Sequence, residues 1–356
     1  MSSTRKKIPV RSALARMRPY HPPLEGRGGK LRLDFNENTS GCSPAVRRAL
    51  ARISRDEVSM YPEYQKAHRR LVRFFRVRPE EMLLTNGTDE AIRLALDTFL
   101  EPREAVLLVE PTFALYRFYT ELLGGRVKSL RYSEGMEFPL DAVLRELRGK
   151  PKVFFLANPN NPTGTLVSRD ALRRILRVAP ETVVVVDEAY FEFADVTVLD
   201  WIRRHDNLIV TRTFSKAMGL AGLRLGCLFA GRTLAHDLRK AQPPYSVNSA
   251  SLLAARGAVS ETRSVQRYVE EVRRAKRDLD KALARLNIRS FPSAGNFVLV
   301  DLGKRAPIVL QALRRRGILL RDRQSDFGRA GFVRITAGTR TQTRRLIREL
   351  EKVWRG

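Results

Sequence analysis

The chain has 356 residues, 43% hydrophobic and 29% charged, with 66 Lys+Arg against 38 Asp+Glu and a formal net charge of +28. That length supports a large core and more than one lobe, and the composition is ordinary for a globular enzyme. No apolar run approaches the length of a membrane span, and the basic stretch Met1 to Arg18 lacks the apolar segment of a secretory signal. The charge is spread along the whole chain and recurs on helical faces such as Arg273, Arg274, Lys276, Arg277 and Lys281. Without zinc-finger spacing, an RNA-recognition aromatic motif or a single basic arm, it reads as solvated surface and not as a specific nucleic-acid site. Cys42 and Cys227 are the only cysteines, which gives neither a disulfide framework nor metal ligands and fits a reducing cytoplasm.

Residues 1 to 30 are rich in Arg, Pro and Gly and read as an arm. Leu31 to Phe35 alternates like a short strand, and Asn36 to Gly41 is turn chemistry. Ser43-Pro44 is an N-cap with proline at the first helical position. A helix is expected over Tyr64 to Phe75, then a strand over Met82 to Thr85. Asn86 to Glu90 opens the helix Ala91 to Phe99. There Gly87-Thr88-Asp89 reads equally as an anion site at a helix N-terminus or as a plain capping turn. Short buried strands follow at Ala105 to Val109, Lys152 to Ala157 and Thr182 to Val186, the last fully apolar and β-branched, as suits a central parallel strand.

Strands alternating with amphipathic helices from about 80 to 230 predict an α/β domain with a mostly parallel sheet, where ligands sit at the carboxyl ends of the strands. Polar groups stand at five such ends: Gly87-Thr88-Asp89, Thr112-Phe113, Asn158 to Asn161, Asp187 to Tyr190 and Thr213 to Lys216. Beyond Ala230 a helix-rich, Arg-rich stretch runs from Ser249 to Leu286. Strands at Asn296 to Leu302, Ile318 to Arg321 and Phe332 to Thr336, with helices 306 to 316 and 340 to 354, predict a second, α+β lobe. The expected division is a large domain at 46–260, with 1–45 and 261–356 as arm plus small domain.

The stretch Asn207 to Ala230 organises the rest. A lysine just past a buried strand, Lys216, stands where a Schiff-base lysine is expected. Thr213, Ser215 and Arg224 can hold a dianionic phosphate beside it. For an aldehyde cofactor with a ring and a phosphate, Asp187 can pair with a protonated ring nitrogen. Tyr190 and Asn161 can donate to a ring oxygen, and Phe113 can stack on the ring.

The segments NPNNPTG (158–164), DEAY (187–190) and TFSKAMGLAGLRLG (213–226) resemble those of the fold-type I pyridoxal-phosphate aminotransferases, and among them the histidinol-phosphate aminotransferase family. RPY (18–20), LDFNEN (33–38), YPEY (61–64), TNGTDEAI (85–92), PTFALY (111–116), GNFVL (295–299), GILLRD (317–322) and FVRITAGT (332–339) carry the likeness over nearly the whole chain. It implies pyridoxal 5'-phosphate as cofactor, with Lys216 as the Schiff-base lysine that also moves the proton, and Asp187 on the ring nitrogen. It places Asn161 and Tyr190 on the ring oxygen, Phe113 on the ring face, and Thr88, Asp89, Thr213, Ser215 and Arg224 around the phosphate. A homodimer is implied, with Tyr61 reaching the partner's cofactor. Arg334 is expected to grip the α-carboxylate of glutamate or 2-oxoglutarate, with Asn296 close by. Arg321 and Tyr20 lie near the distal group of histidinol phosphate or imidazole acetol phosphate. The sequence departs from the family pattern at Met60, often arginine, and at Phe113, often tyrosine.

Related sequences decarboxylate threonine phosphate or transaminate aromatic amino acids, and Tyr20, Arg321 and Arg334 suit several such substrates. A basic nucleic-acid-binding protein leaves Lys216, Asp187 and Asn161 unexplained. A hydrolase built on Thr213 and Lys216 lacks a partner motif and an oxyanion feature.

Overall fold

Strands with apolar residues at successive positions demand cover on both faces. The structure, a computed structural model that describes residues 8–19 and 23–355, meets that demand with helices on both sides of one large sheet. In chain order the strands are β1 (Leu31–Arg32), β2 (Met82–Thr85), β3 (Ala105–Glu110), β4 (Arg126–Arg131), β5 (Val153–Ala157), β6 (Val183–Asp187) and β7 (Leu208–Thr213). There follow β8 (Gly226–Ala230), β9 (Arg289–Phe291), β10 (Phe297–Asp301), β11 (Ile318–Leu319), β12 (Arg321–Asp322) and β13 (Phe332–Thr336).

The seven-stranded sheet has the order β2-β8-β7-β6-β5-β3-β4. Strands β7, β6, β5, β3 and β4 run parallel, whereas β8 is antiparallel to both β7 and β2. Alternate residues feed two cores. Leu107, Phe154, Leu156, Val184, Val186 and Val210 enter one. Val106, Leu108, Val153, Phe155, Val185 and Ile209 enter the other. Because β2 and β7 are parallel, their carboxyl ends emerge on the same edge as those of β3, β5 and β6. The antiparallel β8 begins there, which brings Arg224 to the same edge.

The small lobe is the antiparallel sheet β12-β13-β10-β9. Its core joins Val298, Val300, Val333 and Ile335 to Leu279, Leu283, Leu313 and Leu346 of the flanking helices. The helix Thr262–Arg285 serves both lobes: Tyr268, Val269 and Val272 pack with Tyr190 and Phe193, and Leu279 and Leu283 enter the small-lobe core.

Several details differ from the sequence expectation. The strand expected over Leu31 to Phe35 is a strand only at Leu31–Arg32, paired in parallel with β11. Leu33 still hydrogen-bonds to Leu319 and Thr336, and then Asn36 turns the chain at φ 57. Ile318 to Arg321 is split, because β11 pairs with the arm while β12 pairs with β13. The helical stretch after Ser249 breaks at Glu261 into Ser249–Ser260 and Thr262–Arg285. The helix expected from Ala91 starts at Gly87, so Thr88 and Asp89 lie in its first turn.

Candidate active site

Four strand ends and the first turn of the helix Gly87–Phe99 line one cavity. Its walls include Thr88, Asp89, Phe113, Asn161, Asp187, Tyr190, Thr213, Ser215, Lys216 and Arg224. These residues span 137 positions between Thr88 and Arg224, and the sheet topology alone makes them neighbours.

One end of the cavity is an acid. Asp187, the last residue of β6, is buried. Its Oδ2 accepts from the Tyr116 hydroxyl at 2.8 Å, and its Oδ1 accepts from the Thr211 hydroxyl at 3.0 Å and the Ala189 amide at 3.1 Å. Burial raises its pKa, and the three donors oppose that rise. Tyr190, at the turn after β6, accepts from Asn36 Nδ2 at 2.9 Å.

The other end is built for an anion. The first amides of the helix Gly87–Phe99 have no carbonyl one turn back to bond. Gly226 allows them to approach: a Cβ there would stand 2.7 Å from the Gly87 carbonyl carbon and 2.8 Å from the Thr88 nitrogen. Arg224, held at φ 52, donates to Asp89 Oδ2 at 2.8 Å and to Ser215 Oγ at 3.4 Å. Thr213 Oγ1 accepts from the Ser215 amide at 3.1 Å, which leaves its hydroxyl proton for another acceptor. Burial pushes the Asp89 carboxyl up, against the pull of Arg224 and Lys216.

Lys216 lines the same cavity, with Nζ donating to the Phe35 carbonyl at 2.9 Å. That carbonyl belongs to a strap that also ties down the residues expected to meet substrate. Arg334 donates to the Asp34 carbonyl and Asn296 Nδ2 to the Asn36 carbonyl. Arg334 is buried, donates also to Asn161 Oδ1, and keeps an Nε without an acceptor among the described residues. Burial lowers its pKa to about 10. The Arg321 guanidinium lies 5.3 Å from the Phe35 ring centre. Lys276 donates to the carbonyls of Ser293 and Gly295 and so fixes the loop that presents Asn296.

One expected residue is not part of this assembly within one chain. Tyr61 is 77% exposed, stacks on Tyr245 with ring centres 4.4 Å apart, and lies on the surface beside Met60. Tyr20 lies outside the described residues. Sequence reasoning gave no role to Tyr116, Thr211, Asn36 or Thr336. Tyr116 follows Phe113 by one helical turn, a spacing that signals a shared face. The buried Glu188–Arg212 pair, at 2.8 Å, went unread because its supports come from Thr197 and Phe191 further along the chain.

A cavity with a buried carboxylate at one end, anion donors at the other and a lysine between them suits a cationic heterocycle that carries a phosphate. The family model for aminotransferase class I and II matches residues 29–350. A histidinol-phosphate aminotransferase of Symbiobacterium thermophilum is 38% identical over 356 residues, 96% of this chain and 98% of its own length. Histidinol-phosphate aminotransferase from Sinorhizobium meliloti, solved in complex with pyridoxal-5'-phosphate, shares the fold at a TM-score of 0.84 and 23% identity over 91% of each chain. L-threonine-O-3-phosphate decarboxylase from Porphyromonas gingivalis superposes at 0.80, with 25% identity over 92% of this chain and 100% of that one. The match to the family runs through every strand end that builds the cavity, and the chain belongs to the class I and II aminotransferases.

Proposed function

We propose that this aminotransferase exchanges an amino group between histidinol phosphate and 2-oxoglutarate, forming imidazole acetol phosphate and glutamate, with pyridoxal 5'-phosphate as cofactor. The observation that carries the reading is the placing of Asp187 and Lys216 in one cavity whose far end gathers Arg224, Ser215 and the helix N-terminus. The substrate rests on the likeness to the Symbiobacterium enzyme, which extends over nearly the whole of both chains.

When bound, the cofactor supplies an aldehyde and an electron-withdrawing ring, the chemistry of amino-group transfer. Lys216 Nζ would accept the proton from the substrate Cα as general base and deliver it as general acid to the carbon that had carried the cofactor's aldehyde oxygen. Asp187 holds a ring nitrogen in its protonated form, Asn161 and Tyr190 hold the ring oxygen, and Phe113 covers the ring face. Thr88, Asp89, Thr213, Ser215 and Arg224 surround the phosphate. Arg334 grips the α-carboxylate as a fork, with Asn296 beside it, and Arg321 and Tyr20 receive the distal group.

The active form is a homodimer in which Tyr61 serves the partner's site. Val58, Met60, Tyr61 and Tyr245 give this reading its support, since they form a run of exposed large apolar side chains. The working division is a cofactor lobe at 46–260, with 1–45 and 261–356 as arm and small lobe. The proposed location is the cytoplasm: Cys42 and Cys227 are free thiols, and among the described residues no helix is long and apolar enough to cross a membrane.

The test is amino transfer from histidinol phosphate to 2-oxoglutarate, read as glutamate formed, beside carbon dioxide release from threonine phosphate. Glutamate production together with rescue of a histidine auxotroph is the expected result. Carbon dioxide release without glutamate would overturn the substrate while leaving the cofactor in place. For the dimer, two inactive variants, Lys216→Ala and Tyr61→Ala, should regain activity when mixed, because the hybrid holds one intact site. Mixtures that stay inactive although the subunits exchange would remove the cross-subunit role.

A further inference from the structure

The carboxylate of Asp187 offers about four lone-pair positions, two on each oxygen. Among the described residues, Oδ1 already receives two donors, the Thr211 hydroxyl and the Ala189 amide. Oδ2 receives one, the Tyr116 hydroxyl at 2.8 Å. One acceptor position is left, on Oδ2. Each of the three donors favours the ionised carboxylate over the neutral acid, and the Ala189 amide cannot reverse to accept from a protonated acid. The carboxylate is buried at the cavity wall it shares with Asp89, Tyr190, Lys216 and Arg224, and the negative charge of Asp89 acts against its ionisation, so each donor counts.

Both side-chain donors are held by rigid elements. Thr211 is the direct partner of Asp187 in the pairing of β6 with β7. Tyr116 sits on the helix Ala114–Leu122, is fully buried, and stacks on Phe155 with ring centres 4.8 Å apart and planes 6° apart. Its edge also meets Phe113 at 5.7 Å. Packing therefore decides where the phenol points, and neither hydroxyl makes any other side-chain hydrogen bond in the described structure.

We propose that Tyr116 and Thr211 are positioning residues that keep Asp187 ionised and leave it one acceptor position, on Oδ2, for the protonated ring nitrogen of the cofactor. The proposal rests on the reading of Asp187 as the ring-nitrogen partner and adds how that partner is tuned. A carboxylate stripped of one donor holds its proton more tightly. It therefore becomes neutral at a higher pH and stops favouring the ring cation in that range. A purely structural tyrosine or threonine would change stability and leave this titration where it was.

The experiment uses the cofactor-loaded dimer with Tyr116→Phe, which keeps the stacked ring, Thr211→Val, which keeps the shape, and Thr211→Ser, which restores the hydroxyl. The readouts are the cofactor dissociation constant against pH, the pH titration of the bound cofactor's absorbance, and the acid limb of kcat/KM. Tyr116→Phe and Thr211→Val should each move the acid limb upward by about one pH unit, which is roughly tenfold weaker cofactor retention on that limb. Thr211→Ser should return it to the wild-type position. Wild-type titrations in both donor-free variants, with cofactor bound, would overturn the proposal. If Tyr116→Phe does not fold, the Thr211→Val and Thr211→Ser pair decides. A wild-type protein that shows no cofactor absorbance at all would instead defeat the underlying reading, so the two failures are distinct.

Discussion

Lys216 Nζ and the main-chain carbonyl of Phe35, 181 residues apart in sequence, are joined by a 2.9 Å hydrogen bond. The arm thus supplies the resting partner of the lysine, and the neighbouring carbonyls of Asp34 and Asn36 hold Arg334 and Asn296. Lys216→Ala removes the cavity amine that, on the proposed reading, joins an aldehyde and carries the proton. Turnover should fall by at least about 10³-fold, and the visible absorbance of covalently attached cofactor should vanish. An active, yellow Lys216→Ala protein would show that the lysine had been misassigned.

Arg334→Ala should leave the cofactor attached and raise the KM for glutamate and 2-oxoglutarate. A charge-assisted hydrogen bond contributes about 1.5–3 kcal/mol, so the expected loss in kcat/KM is roughly 10- to 150-fold. Steady-state kinetics with an absorbance check for bound cofactor decide it, and release of cofactor would point to a different role for the arginine.

Gly226→Ala puts a methyl group against the main chain of Gly87 and Thr88, both closer than 3 Å. Neither neighbour is a flexible side-chain end, so the helix N-terminus must retreat from the part of the cavity proposed to hold the phosphate. Weaker cofactor retention and a stability loss of about 1–3 kcal/mol are expected in equilibrium unfolding. Gly222→Ala, which meets nothing within 4 Å, is the matched control and should behave as wild type.

Burial raises the pKa of Glu192 to about 7, opposed by Arg212 and assisted by Glu188. A carboxyl whose folded pKa lies above its unfolded value contributes stability at low pH and loses it as pH rises through the folded value. The wild type should therefore lose stability, relative to Glu192→Gln, between about pH 4.5 and 7, by up to about 3 kcal/mol. Denaturant melts at pH 4 and pH 8 test this: near equality at pH 4 and a more stable Gln variant at pH 8 are expected. A constant difference across the range would remove Glu192 from the titration.

Strands β5, β6 and β7 were legible because both their faces are buried, which leaves an apolar run in the sequence. Strand β4 was not, because at the sheet edge Arg126, Lys128, Ser129 and Arg131 stay outside and its pairing with β3 is made by main-chain groups. The turn of the arm at Asn36 depends on Tyr190 and Thr336, far along the chain. Polar residues at successive strand ends located the cavity from the sequence. The donors around Asp187 escaped because Tyr116 and Thr211 become its neighbours only once the sheet is assembled. The reading of Tyr61 came from family likeness, since one chain leaves that ring on its surface.

The unbroken helix Thr262–Arg285 is a shared beam. Its first half is cemented to the wall behind Tyr190, and its second half forms the roof of the smaller sheet. Melting either end strips apolar cover from the other lobe, so heating should give one calorimetric peak and not two separable ones.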